Sequence, residues 1–215
     1  MSRQGHQTRG STRPRGLIEA TAQRRRTQVG AALGFQPNET IFKGFAGAYC
    51  SALVHDVNAI HGLLDATGLP PGPVLGAALF AGGAGGQAAV DLRESAALWT
   101  MTHVEIPKLA EYRERIAFHF DDEIIELIFP APYLNHQPTR LFHHRSVGER
   151  LETTEIRPEF VEAFIRELEQ FGHAIVQGRP VRNTAAEARR DQALLIAMAQ
   201  RAQNSTALLA SAPEK

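Results

Sequence analysis

Large apolar residues recur along this chain at two spacings. Between Gly44 and Thr67 the pattern is helical. Tyr49, Leu53, Val57, Ile60 and Leu64 are separated by four, four, three and four residues, which puts them on one face. Gly68, with Pro70 and Pro71 behind it, ends that helix. From there to residue 155 the segments are short and read as strands: Val74–Phe80, Gln87–Leu92, Ala97–Val104, Glu111–Phe120, Glu123–Phe129, Thr139–Arg145 and Glu149–Glu155. The sharpest hairpin signal runs from Ile116 to Phe120, turns at Asp121-Asp122 and returns from Glu123 to Phe129. Ile116, Phe118 and Phe120 alternate onto one face, and short connections between consecutive strands predict antiparallel pairing.

The helical spacing then returns. In Pro158–Gln177, residues Phe160, Phe164, Leu168, Phe171 and Ile175 step by four, four, three and four, with Gly178 past the end. Thr184-Ala185-Ala186-Glu187 has the form of a capping box, opening a last helix that continues through Leu195, Met198, Ala199 and Ala202. A helix, a run of strands and two further helices predict an α+β fold: a mainly antiparallel open sheet with helices packed on one face.

Charge divides the chain unevenly. Basic and acidic residues number 23 each, yet residues 1–30 hold seven Arg against Glu19 alone. That stretch reads as a disordered basic arm, residues 31–204 as one folded domain, and residues 205–215 as a frayed tail. Because the remaining body is acidic, nucleic acid is not the expected partner. Residues 66–90 carry no charge, but seven are Gly and three are Pro, so no membrane span is expected there. The arm lacks the apolar stretch of a secretory signal. The single cysteine, Cys50, excludes an internal disulfide and a multi-cysteine zinc site, and reads as a small buried hydrophobe. A reducing, cytoplasmic setting is the expectation.

Few residues announce chemistry. Gly83, Gly85 and Ala88 match a G-x-G-x-x-A pattern, but a phosphate cradle needs a helix to begin there, and a strand pattern follows instead. The stretch therefore reads as an inter-strand loop, with no cofactor-binding residues. No spacing among the nine histidines suits a metal. Ser51 lies four residues before His55, one helical turn away, and Asp56 follows directly.

Two stretches resemble a known family. Gly47–Leu64, which contains His55-Asp56, and Phe160–Ala202, with Gly178-Arg179-Pro180 between its helices, are similar to the C-terminal domain of the glucose–fructose oxidoreductase and inositol dehydrogenase (Gfo/Idh/MocA) family. The resemblance covers roughly residues 44–204. It implies hydride transfer at a sugar, polyol or related carbon, with His55 at the position of the family's proton-relaying histidine. Ser51 stands where the family has an aspartate, and Asp56 follows His55 as in many members. The candidate catalytic residues are thus His55, Ser51 and Asp56. The family binds NAD or NADP on a Rossmann domain, so this chain alone is expected to bind no cofactor. It reads as a truncated substrate-binding and oligomerisation domain, inactive without a separate Rossmann-domain polypeptide. A cofactor-free binding or scaffold protein, or a redox-neutral lyase or isomerase using His55, is the alternative. Ile124 and Ile128 fall on the face opposite Ile125 and Leu127, which predicts a homo-oligomer formed through the sheet face.

Overall fold

The computed structural model describes residues 15–93, 96–132, 134, 136–158 and 161–210. They divide into two units, one formed by the residues up to Ile106 with those from Ala185 on, the other by Pro107–Thr184. The single domain expected over residues 31–204 is therefore two bodies, each with its own sheet, and the fold class is α+β.

In the first unit, helix α1 (Arg15–Leu33) leads to a short helix α2 (Glu39–Gly44), which is capped by Asn38 Oδ1 accepting from Ile41 N at 2.9 Å. The chain then passes, with a kink at Gly47, through a π-helical segment, Phe45–Leu53, into α3 (Val54–Thr67). Gly68 closes α3 at φ +73°, a conformation that L side chains rarely adopt, and Leu69 N donates to Leu64 O at 3.0 Å. Strands β1 (Pro71–Phe80), β2 (Gly85–Leu92) and β3 (Ala97–Val104) form an antiparallel sheet in sequence order. Helix α5 (Ala185–Ala210) completes the unit.

One core holds this unit together. Tyr49, Leu53, Val57 and Leu64 from the helical rod meet Val74, Ala77, Val90 and Trp99 from the sheet and Leu195, Met198, Ala199 and Ala202 from α5. Helices thus cover one face of this sheet, as the pattern predicts. The other face has Gly76, Ala89 and Thr100 in one register row, with Asp91 and the exposed Leu98 paired beside them.

Two expectations at the ends change. Residues 15–30, read as part of a disordered arm, belong to α1, while residues 1–14 lie outside the described residues. The reason is anchoring at the helix's far end. Val29 and Leu33 enter the core, Arg26 pairs with Glu39 at 2.6 Å and lies over the Phe42 ring, and Arg25 donates to Ala46 O. Likewise α5 runs through residues 205–210, taken for a frayed tail; residues 211–215 lie outside the description.

The second unit contains β4 (Glu114–His119), β5 (Glu123–Phe129), β6 (Arg140–Val147), β7 (Arg150–Ile156) and α4 (Ala163–Gln177). Its four strands form an antiparallel meander, with the Asp121-Asp122 turn where the sequence puts it. The register places Ile116, Leu127, Leu141 and Ile156 in one row, and Phe118 and Ile125 in the next. On the opposite face Arg115 pairs with Glu126, and Arg140 and Arg157 with Glu155. Ile124 and Ile128 share that face with His119, Arg115 and Arg140, confirming the expected division of side chains. The predicted helix start at Pro158 moves to Ala163, with Glu162 at the cap position; Phe160 lies outside the described residues.

Candidate functional site

The rod from Glu39 to Thr67 carries the three residues singled out from the sequence, and its π-helical middle sets their orientation. Gly47 departs from helical geometry, at φ −93° and ψ −105°. Such a widened turn releases carbonyls from the regular ladder. Two side chains donate to carbonyls there: Arg25 to Ala46 O at 2.5 Å and Ser51 Oγ to Gly47 O at 2.8 Å. The Ser51 hydroxyl proton is thereby committed to the backbone one turn back, not to His55. His55 is exposed on the outer face of α3 and Asp56 is half-buried beside it.

Cys50, expected to be buried, is at the surface, with its Sγ 3.9 Å from Gln192 Oε1. Tyr49 takes the inward position of this turn, and its neighbour is rotated outward. Burial of the sulfur still pushes the Cys50 thiol up, opposed by the Arg25 charge, so it does not fit the profile of an activated nucleophile.

A second polar constellation lies inside the rod. His61 and Asp191 are each 1% exposed, and His61 Nδ1 is 2.5 Å from Asp191 Oδ1. Asn58 Nδ2 donates to the other carboxylate oxygen at 2.8 Å. Trp99 meets the imidazole edge-on at 5.8 Å. One turn along, Arg190 forks onto Asp65 with bonds of 2.8 and 2.9 Å, holding that carboxyl below its usual range. These contacts join α3 to α5. His61 is too deeply buried to meet a substrate, so the pair positions helices and carries out no chemistry.

Sequence reasoning missed this pair, although a signal existed. Continuing the apolar stripe of α5 one turn back from Leu194, Leu195 and Met198 lands on Asp191, a charge at a core position. His61 sits four residues past Val57 and displaces Ile60 from the deepest position of the α3 face.

Further along the same seam, Tyr49 and His103 meet edge-on at 5.6 Å. Burial pushes the Tyr49 phenol up to about 12 and the His103 imidazole down, so both are neutral near pH 7.

The Gly-rich loop does not fit a dinucleotide. A cradle must leave backbone open to a pyrophosphate at a helix N-terminus. Here residues 81–84 form a tight turn joining β1 to β2. A Cβ on Gly83 would stand 2.6 Å from both Gly44 N and Thr40 O. One on Gly85 would strike the Phe80 ring, and one on Gly86 would meet His103 and Leu79. Gly83, Gly85 and Gly86 thus admit the chain's own groups, while Gly82 faces open space, and no helix N-terminus follows to meet a phosphate. Among the described residues, no group of three His, Cys, Asp or Glu could hold a metal, and no helix is long and apolar enough to cross a membrane.

No family model and no curated protein matches the chain. Solved structures do. GnnA, a UDP-N-acetylglucosamine 3-dehydrogenase from Acidithiobacillus ferrooxidans, matches at a TM-score of 0.52 and 20% identity, over 68% of this chain and 46% of its own. The oxidoreductase yvaA from Bacillus subtilis matches at 0.56 and 13%, over 74% and 51%. KijD10, a 3-ketoreductase from Actinomadura kijaniata solved with TDP-benzene and NADP, matches at 0.52 and 16%, over 70% and 46%. All three are Gfo/Idh/MocA-type oxidoreductases. The likeness is one of fold, and this chain spans about half the length of each.

Proposed function

We propose that this chain is the substrate-binding and self-associating half of a Gfo/Idh/MocA-like oxidoreductase acting on a sugar, polyol or nucleotide-linked sugar. The observation that carries the reading is the shared fold. The chain corresponds to about half of each of three solved oxidoreductases, one a dehydrogenase of a nucleotide sugar and one a ketoreductase solved with a nucleotide ligand and NADP. The resemblance read from Gly47–Leu64 and Phe160–Ala202 points the same way.

In this reading NAD or NADP binds a nucleotide-binding body other than the residues described above, since a strand and not a helix follows their Gly-rich loop. The cofactor supplies and accepts hydride. This chain's own part is to bind the sugar and move the hydroxyl proton, and His55 fits the second task. Its ring is exposed, it stands on a helix anchored by Val57 and Leu64 in the core, and an imidazole can both accept and donate a proton. Asp56 lies next to it. Ser51 donates its hydroxyl to Gly47 O in the turn before it.

Two titrations of the purified chain test this. Calorimetry with NAD and NADP in both redox forms should give no binding heat. Saturation-transfer NMR with polyols, hexoses and nucleoside-diphosphate sugars should show engagement that weakens in His55→Ala. Engagement of no member of that panel refutes the substrate assignment, and micromolar cofactor binding refutes the division of labour.

A further inference from the structure

Residue spacing carves a groove into the outer face of α1. Two rows with steps of four residues run side by side along the helix: Leu17, Thr21 and Arg25, and Ile18, Ala22 and Arg26. Each row starts with a large apolar side chain, passes through a small one and ends on a guanidinium. The small pair leaves a hollow between the bulky ends. Phe42 of α2 walls it on the far side, bounding a cavity of about 370 Å³. Leu17 is 56% and Ile18 44% exposed, so the apolar end stands open to a ligand.

We propose that this groove binds a small amphipathic carboxylate, its alkyl tail lying over Thr21 and Ala22 and its head at Arg25 and Arg26. The volume is at the small end of the range for ligand pockets, and a mostly apolar lining with a few polar groups at one end is their usual make-up. Charge selects the head. Arg25 donates to a neutral carbonyl, Ala46 O, which leaves its positive charge uncancelled. Arg26 lies 4.4 Å over the Phe42 ring and pairs with Glu39 at 2.6 Å, and Lys43 stands 3.4 Å from the same carboxylate. Three cations thus meet one acid at this end. Glu19, the single acid of α1, does not line the groove. A guanidinium fork matches the two oxygens of a carboxylate, which makes that head group the best fit.

Larger polyanions are poorer occupants. The same arginines attract nucleic acid, but phosphates and sugars make no use of an apolar hollow. A helix lying on a bilayer needs a continuous apolar face, and between Ile18 and Val29 the residues of α1 are small or polar. A single amphiphile uses both ends of the groove at once.

The experiment is calorimetric titration of the full chain with hexanoate, octanoate and decanoate, each kept monomeric. Affinity should rise by about three- to four-fold for each methylene buried. Octylammonium, with the same tail and the opposite charge, should not bind. Ala22→Leu fills the hollow at an exposed position where leucine favours the helix, so the fold survives. It should weaken decanoate binding about ten-fold or more. Arg25→Gln should weaken all three carboxylates and keep their dependence on chain length. Amide shifts in two-dimensional NMR should centre on Thr21, Ala22 and Phe42. Absence of binding by every carboxylate overturns the proposal, as does an affinity indifferent to chain length or to the charge at residue 25. Decanoate binding that Ala22→Leu leaves unchanged overturns it too, because the amphiphile then sits on another apolar surface of the chain. So does capture by phosphatidylglycerol vesicles without binding of monomeric decanoate, which would make α1 a membrane-surface element.

Discussion

Tyr49 Oη, Trp99 Nε1 and His103 Nε2 are buried with no hydrogen-bond partner. Each such atom has given up water without replacement, which costs about 1–3 kcal/mol. His103 makes this readable in solution. Burial lowers its folded-state pKa below the ordinary 6.5, so below that pH the unfolded chain binds a proton that the folded chain resists. The His103 contribution to stability is therefore complete above about pH 6.5 and declines as pH falls toward the depressed folded value. Urea melts at a series of pH values should show this slope, and His103→Phe, which keeps an aromatic edge toward Tyr49, should flatten it. An equal slope in the variant would mean that other groups set the acid response.

At the scale of elements, α3 and α5 are far apart in sequence and joined by buried polarity. Asp191 accepts from His61 and Asn58 in a site where both ring and carboxylate are out of water. Removing one member strands the other, which costs roughly 3–5 kcal/mol for a buried pair. Asp191→Ala should therefore lower the denaturation midpoint sharply, while Asp65→Ala, half-exposed and paired with Arg190, should change it by about 1 kcal/mol or less. Comparable losses in the two variants would contradict the assignment of the inner pair as the joint. The elements themselves were legible in the sequence. Ala97–Val104 and Glu123–Phe129 match β3 and β5 end to end, because alternation and turn residues are local signals. The π-helical segment was not legible, since nothing in the local spacing marks the phase change at Gly47, beside which Arg25 donates to Ala46 O from a distant helix. Helix α1 was missed for a similar reason. Its Arg-rich, polar sequence looks disordered in isolation, and the docking of Val29 and Leu33 fixes the helix. For the candidate site, His55 was reached through the family resemblance, whereas the His61–Asp191 pair needed tertiary structure to bring α3 and α5 together.

For the whole molecule the decisive fact is partial coverage, about half of each solved oxidoreductase. In the proposed reading, the chain would depend on a nucleotide-binding body for turnover. That dependence allows the role of His55 to be separated from that of the core histidines. Once activity is reconstituted with a nucleotide-binding partner, His55→Ala should lower turnover by about 10²-fold or more, the usual worth of a positioned proton-transfer group. Its melting should be unchanged, because the ring is exposed and takes no part in the core. His61→Ala should do the reverse, destabilising the fold while the surviving folded fraction keeps its rate per molecule. The pH profile adds an independent reading. A proton-relaying group leaves an ionisation in the pH–rate profile, and this one should disappear with His55 and persist without His61. An unchanged rate and pH profile in His55→Ala would remove this residue from the mechanism.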